Sequence, residues 1–132
     1  MLKGLLPYID DINKIDLNNQ TAAHIAAKYG ELECLKLLFA NGINLEAADK
    51  FGMLASHIAA QQNHVDIIEF FFEIGLSFNV GCNKGKLPLH YAAEYGSFES
   101  IISLEKYYND ISITDNDGNT AAHLAGNYKI FF

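Results

Sequence analysis

The sequence predicts an all-α solenoid, a row of short helical modules leaning on one another. Three observations predict it. Histidine recurs at His24, His57, His90 and His123, each 33 residues after the last. A pair of small residues follows each histidine, and a glycine or asparagine precedes each at a constant distance. Between these landmarks lie apolar residues at helical spacing, and the register holds without insertion from residue 9 to the end. A fixed period of about 20–50 residues marks architectures whose units hide their apolar faces only against their neighbours.

Each period opens on a turn. Asp16, Asp49, Cys82 and Asp115 stand eight positions before the histidines, and Asn19, Gly52, Gly85 and Gly118 stand five before them. In "DKFG", "CNKG" and "DNDG" the glycine suits a turn that needs positive φ, and asparagine is among the few other residues that tolerate it. After the turns come "TAAHIAAKYG", "LASHIAAQQN", "LPLHYAAEYG" and "TAAHLAGNYK".

These segments resemble the ankyrin repeat, whose signature is a step of about 33 residues with T-P-L-H-x-A opening the first of two antiparallel helices. The resemblance covers essentially the whole chain, because the histidine, the alanine pair, the turn glycine and the later "GINLEAAD" all fall in the family's places. A tetratricopeptide array would step by about 34 residues and carry no such histidine. The resemblance implies stacked antiparallel helix pairs joined by short β-hairpin-like loops. It implies one domain over 1–132, with full modules at 16–48, 49–81 and 82–114 between partial modules at 1–15 and 115–132. It also implies that the four histidines are structural, bonding the Thr of their own motif and backbone near the module boundary. Thr21 and Thr120 supply that partner, whereas Leu54 and Leu87 remove it. His57 and His90 are therefore expected to rely on backbone or water.

The small pairs Ala26–Ala27, Ala59–Ala60, Ala92–Ala93 and Ala125–Gly126 let neighbouring helices approach closely. Second helices are expected to bury Leu32, Leu35, Leu38 and Phe39, then Val65, Ile68, Phe71 and Phe72, then Phe98, Ile101 and Leu104. Gly42 and Gly75 are placed to close two of them as left-handed caps. The third has Tyr108 at that position, where positive φ would be strained, so its end is expected to be rebuilt. Only one motif carries proline at the helix start. Ala22, Ala55 and Ala121 replace it elsewhere, so the modules are degenerate and modest stability is expected.

Other motifs lose to bland alternatives. "GCNKGK" has three residues between its glycines and Leu87 after its lysine, whereas a phosphate loop needs four and then Ser or Thr. It is a repeat turn. Zinc donors sit about 2.0–2.1 Å from the ion, while equivalent positions in stacked helices lie about 8–10 Å apart, so the histidines form a ladder and hold no metal. "TDNDGNT" puts Gly118 at the fourth position from Asp115 and Gly126 at the twelfth, against the sixth-position glycine and twelfth-position glutamate of a calcium loop. Asn19-Gln20-Thr21 is an accidental sequon, since no secretory signal precedes it. His64 is read as local capping or surface. No nucleophile has a base and orienting acid in one module, so no enzyme and no cofactor is expected.

Composition agrees. Half of the 132 residues are hydrophobic and 12% aromatic, a folding composition. The net charge is −7 and all nine cations are Lys, which argues against nucleic acid, where basic patches and arginine forks dominate. Cys34 and Cys82 share no metal or disulfide pattern and read as reduced thiols. "MLKGLLPYIDD" lacks the apolar core of a signal peptide, and "VDIIEFFFEIGL" is too short and too charged to span a bilayer. The chain reads as intracellular, cytoplasmic with the nucleus left open.

Ankyrin partners lie against the loop tips and the exposed face of the first helices. Carried onto this sequence, that surface comprises Leu17, Asn18, Lys50, Phe51, Met53, Asn83, Lys84, Lys86, Asn116 and Asp117 at the tips, with Tyr29, Gln62, Tyr95 and Tyr128 at the helix exits. Tyr29, Lys50, Phe51, Met53, Gln62, Lys84, Lys86, Tyr95 and Tyr128 are the expected partner contacts. Aromatics serve binding hot spots because they bring large area at low entropic cost. The resulting expectation is a protein–protein interaction scaffold without chemistry. Its alternative is a regulatory or targeting segment of a larger protein such as a channel, kinase or acyltransferase. Residues 115–132 supply a turn and first helix and then Ile130, Phe131 and Phe132, with Lys129 where a turn glycine would stand. Further repeats of a longer parent chain, or a second copy, are the expected neighbours of those apolar ends.

Overall fold

The computed structural model describes residues 11–128, apart from the side chains of Asn127 and Tyr128. The expectations attached to residues 1–10 and to Lys129, Ile130, Phe131 and Phe132 lie outside the described residues. Among the described residues seven α-helices follow in order: α1 (Ala22–Tyr29), α2 (Leu32–Ala40), α3 (Ala55–Gln61), α4 (Val65–Glu73), α5 (Pro88–Glu94), α6 (Phe98–Glu105) and α7 (Ala121–Leu124), the last continued by a 3-10 turn, Ala125–Tyr128. Helices α1, α3, α5 and α7 form an inner row in which each packs on the next, and each of the first three also packs on the outer helix that follows it. In the outer row α4 packs on α6. The α2 and α4 helices meet through Phe39 and Phe70, whose rings are 6.0 Å apart, edge to face.

Alanine explains the close inner row. Ala26, Ala27, Ala59, Ala60, Ala92 and Ala93 are all buried, so these positions fill the space between the helices with single methyl groups. The outer helices supply the bulk of the core through Leu35, Leu38, Ile67, Ile68, Phe71, Ile101 and Leu104. Burying each such side chain contributes about 1.5–3 kcal/mol. Three expected core residues do not belong to it, and one of them, Val65, is only half-buried. Phe39 and Phe98 are largely exposed. In α6 the buried face is made by Ser100, Ile101, Ser103 and Leu104, which turns Phe98 and Ile102 outward.

The helix ends differ in kind. Gly42 (φ 89°) and Gly75 (φ 81°) are left-handed. Behind them the amides of Ile43 and Leu76 reach back to the carbonyls of Leu38 and Phe71, closing α2 and α4. At α6 the end is rebuilt, as Tyr108 demands. Its φ is not positive; its ring is buried and its hydroxyl donates to the Phe78 carbonyl. Beside it, Tyr107 packs with Phe72 and Phe78, so an aromatic plug replaces the glycine cap.

Among the described residues no strand is formed, so the connections expected to be β-hairpin-like are turns only. Each tip closes on a single five-residue ring. Asp16 N bonds Gln20 O, Asp49 N bonds Met53 O, Cys82 N bonds Lys86 O and Asp115 N bonds Asn119 O, at 2.9–3.0 Å. With only that closing bond and the turn bond inside it, no tip has the pairing of a ladder.

Candidate partner-binding surface

The tips are held rigid from within. A carboxylate oxygen of Asp49 accepts from the amides of Phe51 and Met53 at 2.8 and 2.9 Å, and Asp16 and Asp115 do the same in their own turns. The third turn has Cys82 instead. Its sulfur takes only the Lys84 amide, at 3.4 Å, and pairs with the Tyr91 hydroxyl at 3.2 Å. Asn19, Gly52, Gly85 and Gly118 all sit at positive φ, between 60° and 80°.

The tips are also laced to each other. Lys50 N donates to Asn18 O, Asn83 N to Phe51 O and Asn116 N to Lys84 O. The side-chain amides of Asn83 and Asn116 add bonds to the carbonyls of Lys50 and Asn83. Gly52 and Gly85 face those two asparagines so closely that any Cβ would collide with them, while the space around Gly118 is open.

Beneath the tips runs the histidine ladder. The Nδ1 atoms of His24, His57, His90 and His123 accept from the backbone amides of Thr21, Leu54, Leu87 and Thr120 at 2.9–3.0 Å. With Nδ1 accepting, Nε2 carries the proton and donates onward. It reaches Met53 O from His24, Lys86 O from His57 and Ile113 O from His90. The hydroxyls of Thr21 and Thr120 approach their histidines as well. His57 and His90, lacking that hydroxyl, rely on backbone alone among the described residues. Burial pushes the His57 pKa down to about 4 and lowers that of His90, so both rings are neutral at physiological pH. Each imidazole serves its own module boundary, and among the described residues no three His, Cys, Asp or Glu side chains gather to hold a metal ion.

Of the expected contact residues, Tyr29 (65%), Phe51 (57%) and Tyr95 (51%) are large apolar groups open to solvent, and Leu17 at the first tip is fully exposed on the same face. Phe51 and Tyr95 stand at the mouth of a cleft of about 240 Å³ that Met53, Cys82, Lys86 and Tyr91 also line. Met53 is half-buried, and Lys50, Gln62 and Lys84 are exposed. Lys50 Nζ lies 5.0 Å from the centre of the Phe51 ring. Lys86 is largely buried, its ammonium 2.7 Å from Glu94 and over the Tyr91 ring. Burial alone would lower its pKa, but the hydrogen bond and charge of Glu94 outweigh that and raise it. The side chain of Tyr128 lies outside the described residues.

Sequence reasoning missed Tyr91 and Glu94, which shape the cleft floor, and it missed Asn63. Asn63 sits at φ 60° in the loop after α3, in register with Gly30 and Gly96, which are also left-handed. Its side chain crosses to the next module, accepting from the amide and hydroxyl of Ser100 and donating to Glu99. An asparagine in a glycine register was the available signal. His64 likewise makes no side-chain cap on α4; its Nε2 is 3.1 Å from Lys28 O in the preceding module.

Helix pairs stacked at a fixed step, with rigid tips and an open inner face, define a repeat scaffold of the kind that mediates protein–protein contacts. A family model described as "Ankyrin repeats (3 copies)" matches residues 1–81, and the chain belongs to the ankyrin-repeat family. That family consists of non-catalytic scaffolds. Beyond the matched span, α5, α6 and α7 keep the same spacing. No curated protein matches the sequence. Both cysteines are free thiols, and no helix among the described residues is long and apolar enough to cross a membrane.

Proposed function

We propose that the chain holds a protein partner along its inner face and loop tips, with Phe51 and Tyr95 as the principal contacts. Tyr29, Lys50, Met53, Gln62 and Lys84 extend the surface, Lys86 positions the cleft floor, and Tyr128 is the contact expected at the last helix exit. The working unit is a single domain in which 16–48, 49–81 and 82–114 are complete modules between partial ones at 1–15 and 115–132. Helix starts at residues 22, 55, 88 and 121 support that division.

One observation carries the reading. Two large rings remain more than half exposed at the mouth of a cleft whose backbone is locked by turn and tip-to-tip hydrogen bonds. Solvent exposure of that kind on a rigid frame suits recognition, since little ordering entropy is lost on binding. Phe51→Ala combined with Tyr95→Ala should remove the proteins retained by the immobilised chain. The unfolding free energy should change by no more than about 0.5 kcal/mol, as for surface substitutions. Retention of the same proteins by the double variant would place binding elsewhere.

A further inference from the structure

We propose that the partner segment is an acidic peptide carrying one aromatic or long aliphatic anchor. The anchor enters the cleft between Phe51 and Tyr95, and carboxylates on either side of it meet Lys50 and Lys84. The proposal rests on the inner-face reading above and adds the chemistry of the occupant.

The charges of the molecule are sorted by face. Its net charge is −7, yet the tips beside the cleft expose lysines. Among the described residues neither Lys50 nor Lys84 belongs to an ion pair. The carboxylates that line or flank the cleft are engaged, while Asp117 on the following tip is exposed. Glu94 is held by Lys86, and Asp49 and Asp115 are buried against turn amides. The outer helices are the reverse. They carry Glu33, Asp66, Glu69, Glu73, Glu99 and Glu105 against Lys36 and Lys106. A basic or neutral segment would therefore be drawn to the outer face, whereas an acidic one is repelled there and attracted to the tips.

The cleft adds the second requirement. Its walls are the rings of Phe51, Tyr91 and Tyr95 with Met53, and about 240 Å³ accommodates a single large side chain. Lys50 over the Phe51 ring and Lys84 in the cleft lining set positive charge immediately beside that apolar wall. In an extended peptide, residues two apart point the same way about 7 Å apart, so acidic residues flanking an anchor can reach both lysines while the anchor is seated. A rival occupant is the acidic outer face of a second copy.

A random peptide display library panned against the intact chain tests this. Enriched sequences should hold more Asp and Glu than Lys and Arg, with at least one aromatic or long aliphatic residue. A labelled enriched peptide should bind more weakly as salt rises, and should lose about tenfold in affinity to the Lys50→Glu, Lys84→Glu variant. Neutral or basic winners, or unchanged binding to that variant, overturn the acidic assignment. So does sedimentation showing that the free chain self-associates and that the lysine reversals break the association. Phe51→Ala with Tyr95→Ala separates the two layers. If peptides bind that variant undiminished, or nothing is enriched at all, the inner-face reading itself falls. Loss there without loss on the lysine reversals removes only the charge assignment.

Discussion

His57 and His123 occupy the same place in their modules and are held by the same local bond, yet they do different work. Each Nδ1 accepts from the backbone amide three residues before it, at 3.0 Å. His57 is fully buried, sends Nε2 to Lys86 O in the next tip, and presents its ring to the edge of Tyr91. His123 keeps the better local motif, with the Thr120 hydroxyl 2.9 Å away, but it is exposed and among the described residues reaches no further tip. The motif is therefore a connector. Its energetic worth comes from the module that follows, as nearest-neighbour coupling in a one-dimensional array requires.

The largest effect that could break this comparison is substitution of the two rings. His57→Ala leaves the buried Leu54 amide unpaired, strips the Lys86 carbonyl of one of its two bonds and opens a cavity, which should cost about 3 kcal/mol or more. His123→Ala should cost about 1 kcal/mol or less. Urea denaturation of both variants measures the difference, and equal losses would mean that the next module contributes nothing to the histidine.

Acid sharpens the same contrast. The unfolded chain protonates His57 near its ordinary value of 6.5, whereas the folded chain resists until about 4. The stabilisation is thus complete above pH 6.5 and drains away as pH falls toward 4. At pH 5 that difference amounts to roughly 2 kcal/mol. His90, lowered by burial too, acts in the same direction. Denaturation curves at pH 7 and pH 5 should show the loss. His57→Gln, whose amide can accept and donate without titrating, should flatten it; an unchanged slope in that variant would clear His57 of the effect.

The smallest effect concerns the turn glycines. Alanine at Gly118 meets open space and bears only the cost of a left-handed residue, about 1–2 kcal/mol. At Gly85 alanine bears that cost and also strikes Asn116 of the next tip, so its penalty should be the larger one. Thermal midpoints of the two variants decide it. Indistinguishable midpoints would show the tip-to-tip contact to be slack.

What was legible in the sequence is what repeats locally. The step, the histidines, the alanine pairs and the turn glycines each reflect a constraint set within a few residues: a positive φ, a capping amide, a close helix approach. Tyr108 was legible as a disturbance because a ring cannot take glycine's conformation. Its replacement, a hydroxyl reaching Phe78, depends on a residue 30 positions away and was not. For the same reason periodicity assigns Phe39, Val65 and Phe98 to the core, although which face of a short helix turns inward is decided by its neighbour. On the inner face, the exposure of Phe51 and Tyr95 could be read from the module register. The ion pair that buries Lys86 could not, since it follows from Glu94 lying one helix beyond the turn.

Asn63 has a consequence for how the array comes apart. Amides in the first turn of a helix usually exchange with solvent freely, because no carbonyl precedes them to accept their hydrogen. At α6 the Ser100 amide is instead shielded by a side chain from the loop after α3. Deuterium uptake there therefore tracks whether that earlier loop is still in place, and a single peptide fragment can act as a gauge of separation between adjoining units while the helix it belongs to stays wound.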